Sequence, residues 1–292
     1  MKIYDCTTFH SEHMMMDVRF NALNEHIHKF IVVESLFSHS GEKKKLNFDI
    51  NNYPKFKDKI IYLVIDREPD DLINPLNENI QYKRINSIKR IELSYDFMMS
   101  EIKKLSDNDL IILSDNDEIP NLDSTQFKDS NSDIYIFKQL FFYYKFNLLY
   151  DRMYWFGSKA CTKKKLKSLS WLRNLKNKKY PFWRVDTFFS KTKSSSLKII
   201  NDGGWHFTNV MSAENLYTKM TNFGHHDEFE LSELSVEDLK IKINQGLVFY
   251  DHFAGQEDKN KWEFNYKLKK ISDNLLPDSL IKDKIKIKEW FN

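Results

Sequence analysis

Cysteine, glycine and long uncharged stretches are scarce in this sequence of 292 residues. The two cysteines, Cys6 and Cys161, form neither a metal-ligand spacing nor a disulfide framework, which is typical of a reducing compartment. Only seven glycines occur, and they form no glycine-rich phosphate-binding loop. No uncharged stretch approaches the roughly 20 residues that span a bilayer, and the first residues lack the apolar segment of a secretion signal. We therefore expect a cytoplasmic protein.

Net charge is also small. The chain has 45 Lys and Arg against 42 Asp and Glu, a balance of +3 that does not indicate nucleic-acid binding, so we expect no nucleic-acid partner. The positive charge is local and lies in residues 159–180 and in much of the chain after Lys259. Such runs usually form a solvated face, and the alternative is a surface for phosphate-bearing ligands or anionic lipid.

Apolar runs alternate with helical patterns in the first half of the chain. Four runs predict strands, at residues 3–9, 29–35, 60–66 and 110–113. Two segments have apolar residues at helical spacing, residues 14–27 and 80–105. This alternation predicts an α/β fold with a mostly parallel central sheet that helices cover on both faces. Ligands of such sheets bind beyond the carboxyl ends of the strands, which is where Glu34, Asp66 and the segment SDNDE (114–118) fall.

The second half is more aromatic and less regular. Residues 133–149 and 196–207 predict further strands. We find no internal repeat and no long linker, so we expect one domain over residues 1–250. A helical, basic tail follows at 251–292 and is interrupted at Pro277. This tail is expected to pack on the domain, and peripheral membrane contact is the alternative.

The segment SDNDE places three carboxylates within four positions at the end of an apolar strand. In an extended segment the side chains of Asp115 and Asp117 face the same way. Two like charges this close repel each other unless a cation compensates them. Oxygen ligands without a nearby cysteine favour Mg²⁺ or Mn²⁺, and proteins usually bind Mg²⁺ through one or two carboxylates together with substrate phosphates. The segment thus predicts a metal and diphosphate site, and the alternative is a loop in which Asp115 caps a turn.

Five collinear stretches give the sequence a resemblance to glycosyltransferase family 17. They are YDCTTFHSE (4–12), FIVVESLFSHSG (30–41), SDNDEIP (114–120), GGWHFTN (203–209) and NFGHHDE (222–228). The family includes the enzyme that adds the bisecting N-acetylglucosamine to N-glycans, together with bacterial and viral members. The sequence departs from the family pattern at three places. Asn116 replaces an apolar residue, Thr208 replaces a serine, and an SFSH-like motif appears as NFGH at 222–225.

The resemblance implies an inverting, metal-dependent glycosyltransferase with a GT-A type, Rossmann-like domain that binds a nucleotide sugar. Its implied donor is UDP-N-acetylglucosamine (UDP-GlcNAc), and its implied cofactor is Mn²⁺ or Mg²⁺ on Asp115 and Asp117. The implied acceptor is a glycan or a lipid-linked glycan. A lipid-linked acceptor would place the protein at the inner face of the membrane.

Further residues are candidates for donor binding. Glu34 is a candidate for the base or ribose, or it closes a turn. His206 follows two glycines and is a candidate third metal ligand or diphosphate contact, or it is a hydrogen-bonded core histidine. Trp205 is a candidate floor for the sugar. The candidates for phosphate pairing are Arg84, Arg152 and Arg173.

Inversion by direct displacement needs one general base, which is usually Asp or Glu. Four carboxylates are candidates, namely Glu118, Asp202, Asp227 and Glu228. The alternative for Glu118 is support of the metal site.

Two other function classes stay open. A metal-dependent phosphatase or nucleotidyltransferase also uses paired aspartates on a strand. An aspartyl phosphatase needs its nucleophile after the first strand, whereas Asp5 lies within that strand, and nucleotidyltransferases commonly carry a glycine-rich loop. A non-catalytic sugar-binding domain would not need three acids at the edge of a sheet.

Overall fold

A computed structural model describes residues 1–74, 80–181, 190, 192–222, 229, 232–255 and 258–292. The strands in these ranges are β1 (Ile3–Thr8), β2 (Lys29–Ser35), β3 (Ile60–Ile65), β4 (Leu110–Leu113), β5 (Glu118–Pro120), β6 (Ile134–Phe137), β7 (Leu140–Tyr143), β8 (Leu148–Leu149), β9 (Lys159–Thr162), β10 (Leu197–Ile200), β11 (Gly204–Thr208) and β12 (Lys269–Lys270). The helices are α1 (His13–Leu23), α2 (Ile80–Ile102), α3 (Thr125–Lys128), α4 (Leu169–Arg173), α5 (Ala213–Asn222), α6 (Val236–Gln245) and α7 (Asp278–Lys282).

Seven strands form the larger sheet, in the order β10-β6-β9-β4-β1-β2-β3. Strands β1 to β4 pair in parallel, as their continuous apolar sequences predict. Strand β9 runs antiparallel to both of its neighbours, β4 and β6. The α/β class is confirmed, but the prediction of a mostly parallel sheet is wrong because the sheet is mixed. The sequence does not predict β9, because its four residues, KACT, begin a segment that is rich in lysine.

Helices cover both faces of this sheet. On one face, Met16 and Phe20 of α1 pack against Phe30 and Val32 of β2. On the other face, residues of α2 such as Met98 pack against the alternate residues of the same strands. Because both faces are buried, all four residues of β4 are buried, and the charged residues that follow β4 lie at the edge of a dry core.

The smaller sheet has five strands in the order β12-β8-β7-β11-β5. Its strand β5 follows the acidic segment directly and pairs antiparallel with β11, so that Glu118 lies opposite His206. Two stretches that are more than 80 residues apart in sequence are thereby brought together.

The tail contains less helix than predicted. Its described residues form β12, the five-residue helix α7 and short 3₁₀ turns. The tail lies against the domain, where Leu275 O accepts a hydrogen bond from Trp205 Nε1 at 2.6 Å and Phe291 contacts Phe146. Within the described residues, no helix has the length and apolar character needed to cross a membrane.

A buried ion pair joins α1 to β1. Arg19 and Asp5 are both fully buried, and Arg19 Nε donates to Asp5 Oδ2 at 2.8 Å. Arg19 Nη1 also donates to the backbone oxygens of Asp115 and Glu118, at 3.1 and 2.7 Å. This single side chain therefore fixes the helix, the first strand and the acidic segment relative to one another.

We predict that Arg19→Met lowers the free energy of unfolding by about 3–5 kcal/mol, because it leaves the Asp5 charge buried without a partner. Urea denaturation measures the change. The control Lys128→Met removes a largely exposed ion pair to Asp123, and we expect it to cost less than about 1 kcal/mol. Equal effects of the two substitutions would contradict this assignment.

Candidate active site

A cavity of about 530 Å³ opens where the strand order of the larger sheet reverses. From β1 the chain proceeds outward through β2 and β3, and it then returns to place β4 on the other side of β1. In open α/β sheets, ligands bind beyond the carboxyl ends of the strands at such a switch point. The volume is typical of a small-molecule site. The cavity is lined by residues 10–15 after β1, by Ser38, Glu42 and Lys44 after β2, by Asn116 and Asp117 after β4, and by Phe207, Asn209, Val210, Met211, Asn215, Thr218, Lys219 and Trp290.

Asp117 joins the acidic segment to this cavity. Its side chain is only 15 % exposed, and its Oδ1 lies 3.5 Å from His206 Nε2. Burial acts to raise the pKa of Asp117, but the neighbouring His206 and Lys219 outweigh it and hold the pKa at about 2. Asp117 is therefore a stable negative charge at the cavity wall.

Asp115 has a different environment. Desolvation of its carboxyl group, together with the charges of Glu118 and Asp117, raises its pKa to about 6, although Arg173 acts in the opposite direction. Its Oδ2 accepts a hydrogen bond from Arg173 Nη2 at 2.6 Å. About half of the side chain is exposed, and Asp115 is absent from the described lining of the cavity, next to Asn116 and Asp117, which line it.

Glu118 is fully buried and lies at the centre of the network. Arg173 Nη1 donates to its Oε2 at 2.9 Å, Trp155 Nε1 donates to its Oε1 at 2.6 Å, and the backbone N–H of Asp115 donates to Oε2 at 2.8 Å. Burial acts to raise the pKa of Glu118, but the Arg173 guanidinium lowers it overall. Because donors of the chain occupy both oxygens, the contacts favour support of Asp115 over general-base catalysis for Glu118.

Gly157 leaves the space that this network needs. A Cβ atom at this position would lie 1.8 Å from Glu118 Oε1 and 2.4 Å from Trp155 Nε1, so any other residue would displace these two side chains. Arg173 Nη1 also donates to Gly157 O at 3.0 Å. The backbone of residue 157 therefore belongs to the wall around the buried carboxylate.

His206 is held between two aromatic rings. Its imidazole stacks on Phe141, with ring centroids 4.8 Å apart, and on Trp155 at 4.7 Å. Its Nδ1 is buried and has no hydrogen-bond partner among the described residues. A buried ring nitrogen without a partner in the chain can bind a water molecule or a polar atom of a ligand.

The implied metal ion fits this site only in part. Among the described residues, no group of three or more His, Cys, Asp and Glu side chains is arranged to hold a metal ion. His206 therefore does not complete a set of three ligands with Asp115 and Asp117. The two carboxylates remain as hard oxygen donors, a set that suits Mg²⁺ or Mn²⁺ when water and substrate phosphates supply the other ligands.

Glu34 is occupied by its own chain. Its carboxylate accepts hydrogen bonds from the backbone N–H groups of Asn47 and Phe48 at 2.8 and 2.9 Å and from Tyr62 Oη at 2.8 Å, and it forms an ion pair with Lys44. These contacts hold the loop after β2 in place and occupy both carboxylate oxygens of Glu34. They match the alternative in which Glu34 closes a turn.

Trp205 and its two preceding glycines serve the packing of the smaller sheet. The Trp205 side chain packs against the core and binds Leu275 O, on the opposite face of β11 from His206. A Cβ at Gly204, whose φ is +105°, would lie 2.2 Å from Ile119 O. The glycines thus permit close approach of strands rather than of a ligand, and Trp205 is not placed to floor the sugar.

The structure separates other candidates from the cavity. Asp202 is exposed, accepts a hydrogen bond from Asn121 Nδ2 at 3.0 Å and is absent from the described lining of the cavity. Arg84 lies on α2 and is absent from the described lining of the cavity. Arg152 lies over the ring of Phe253. Of the three candidate arginines, Arg173 is the one that contacts the acidic segment. Asp227 and Glu228 lie outside the described residues.

Sequence reasoning missed several contributors, among them Arg19, Asp5 and Glu12. Arg19 and Asp5 were detectable, because each puts a charge inside an otherwise apolar pattern, and such charges usually pair. The role of Glu12 was not detectable, because it depends on a contact between residues 104 positions apart. Glu12 Oε2 accepts a hydrogen bond from Asn116 Nδ2 at 2.9 Å. This contact gives the departure at Asn116 a structural use, because it fastens the acidic segment to the chain after β1.

Comparison with known structures yields distant likenesses. The chain is similar to the inositol-1-phosphate CTP transferase from T. maritima, with 14 % identity, a TM-score of 0.30, and coverage of 56 % of this chain and 71 % of that chain. It is also similar to HddC from Yersinia pseudotuberculosis complexed with GMP-PN, with 10 % identity, a TM-score of 0.29, and coverage of 69 % and 91 %. Scores this low support no functional argument. No curated protein sequence matches the chain.

Comparison with protein families is decisive. The sequence model of glycosyltransferase family 17 matches residues 1–257, which include the cavity walls after β1, β2 and β4 and the whole of β11. The matched region also holds the network of Arg173, Glu118 and Asp115. This chain therefore belongs to glycosyltransferase family 17 and is a glycosyltransferase.

Proposed function

We propose that the protein is an inverting, metal-dependent transferase with a GT-A type domain that takes its sugar from UDP-GlcNAc. The observation that carries this proposal is the position of Asp117, at the wall of a cavity between the carboxyl ends of β1 and β4. A nucleotide sugar needs space for its nucleoside and a cationic environment for its diphosphate. The cavity offers the space for the nucleoside. The two aspartates would supply the cationic environment by holding a metal ion.

Asp115 and Asp117 would hold Mn²⁺ or Mg²⁺, which when bound neutralises the diphosphate and stabilises the departing nucleotide. The chain's own groups prepare this site. Arg19 fixes the backbone of the segment, and Arg173 orients Asp115 through a hydrogen bond to its Oδ2. Because groups of the chain itself make these contacts, the acidic segment would need little reorganisation to bind the cation.

The general base is proposed among two of the four candidates. Glu118 is occupied by donors, and Asp202 lies away from the cavity. Asp227 and Glu228 follow α5, whose residues Asn215, Thr218 and Lys219 line the cavity. We therefore keep Asp227 and Glu228 as the carboxylates that take the proton from the acceptor hydroxyl.

A glycan or lipid-linked glycan is the proposed acceptor, and the proposed location is the cytoplasm or the inner face of the membrane. The tail supports peripheral contact with anionic lipid at one place, where Ile285 is 86 % exposed beside the exposed lysines Lys282 and Lys286. No observation favours a phosphatase, a nucleotidyltransferase or a non-catalytic domain.

We expect UDP-GlcNAc to raise the melting temperature of the wild-type protein only when Mn²⁺ is present. Asp115→Asn and Asp117→Asn should each remove this response and lower turnover by about 100-fold or more, because a ligand to the cation is lost. Thermal shift and calorimetry against a panel of nucleotide sugars provide the measurement. Asp123→Asn, which changes an exposed acid outside the network, is the control. A wild-type protein that responds to no nucleotide sugar would refute the proposal.

Arg173→Lys keeps the positive charge but loses the planar fork that binds Asp115 and Glu118 together. We expect a turnover loss of about 10- to 100-fold with the fold retained, since the orientation of a metal-binding carboxylate is disturbed. Arg152→Lys is the matched control, because Arg152 contacts aromatic rings instead of the acidic segment. Steady-state kinetics and circular dichroism of both variants decide the matter, and equal activities would rule out this role for Arg173.

Replacement of the general base should lower kcat by about 10²- to 10⁴-fold while the dissociation constant of the donor stays unchanged. We expect this result for either Asp227→Asn or Glu228→Gln, and normal turnover for Asp202→Asn. Kinetics combined with donor titration separates the two effects. If both variants keep their turnover, the base lies elsewhere.

A further inference from the structure

Residues 288–292, which follow the end of the family match, are fastened to the turn between β7 and β8. The backbone N–H of Phe146 donates to Trp290 O at 2.9 Å. Asn147 and Asn292 exchange two hydrogen bonds, at 3.1 and 2.9 Å. Lys145 Nζ donates to Glu289 O at 2.5 Å. This density of contacts fixes the position of the segment.

The fastened segment directs one side chain to the cavity. Trp290 lines it, whereas the next residue, Phe291, packs on Phe146 and is absent from the described lining. Lys145 Nζ lies 5.3 Å from the centroid of the Trp290 ring and covers one face of the indole. The indole is thus supported by Lys145 and by the core against which it packs, and its partly exposed surface borders the cavity.

The cavity combines two kinds of lining. Its apolar members are Met14, Met15, Phe207, Val210, Met211 and Trp290. Its polar members include Asp117, Glu12 and Lys219. A nucleoside diphosphate has the same two characters, because its base is flat and apolar on its faces while its ribose and phosphates need polar partners. Binding sites for bases commonly use an aromatic side chain as a stacking surface.

We propose that Trp290 is a binding residue for the base of the donor nucleotide, and that residues 288–292 complete the donor cavity from outside the family match. This inference rests on the proposed function. It adds that the diphosphate end of the donor is held at Asp117 and the base end at Trp290. Loss of the indole should therefore weaken binding of a nucleoside diphosphate and leave binding of inorganic diphosphate unchanged.

Calorimetry in the presence of Mn²⁺ tests this inference on the full chain. The probes are UDP, GDP, ADP, CDP and inorganic diphosphate. For the nucleotide that the wild type binds best, we expect Trp290→Ala to lose roughly 5- to 150-fold in affinity, the value of one base on one aromatic ring. Trp290→Phe should restore most of the affinity, because an aromatic face is retained.

The matched control is Phe291→Leu, which weakens the packing of the same segment without changing the cavity lining. We expect it to lower the melting temperature and to keep nucleotide affinity within about twofold of the wild type. Unchanged nucleotide affinity in Trp290→Ala would overturn the inference while the proposed function stands. An equal loss for nucleotide and inorganic diphosphate would also overturn it, since the effect would then be a general disturbance. A wild type that binds no nucleotide would overturn both proposals.

Discussion

Compensation of buried negative charge is the constraint on which this structure depends. Glu118 is fully buried, and its charge is stable there because Arg173 and two further donors surround it. Asp5 is equally buried and is paired with Arg19, which also binds the backbone of the acidic segment. Since breaking such a pair leaves an uncompensated charge in a low dielectric, neither arginine can leave its position without a large cost. The acidic segment is consequently rigid before any ligand binds.

This rigidity divides the three acids into two groups. Donors of the chain occupy both carboxylate oxygens of Glu118, whereas Asp115 and Asp117 are the two acids proposed to bind a ligand. Their environments differ, because the neighbouring His206 and Lys219 hold the pKa of Asp117 at about 2, whereas desolvation and the charges of Glu118 and Asp117 raise that of Asp115 to about 6. A cation bound between them would favour the charged form of Asp115 and so relieve the repulsion.

The sequence predicted the parts of this arrangement that depend on local pattern. Strands β1 to β4 are apolar runs, and the rule for carboxyl ends of strands located the acidic segment at the cavity. The sequence pattern could not predict contacts between residues that are distant in the chain, such as those that occupy both carboxylate oxygens of Glu118. The alternation of side chains along a strand could have narrowed the choice between Trp205 and His206. Adjacent residues on a strand face opposite sides, so only one of them could serve the site.

The position of the cavity also bears on how specificity is distributed along the chain. In the proposed function, the diphosphate end of the donor lies at residues 10–15, 116 and 117, all within the family match and next to the backbone that Arg19 binds. Trp290 lies outside that match and is held by a turn that has no part in the network. A substitution at Trp290 can therefore alter the shape of one end of the cavity without disturbing Arg19, Arg173 or their carboxylates. The chemistry common to the family and the recognition of a particular nucleotide are, on this reasoning, physically separable.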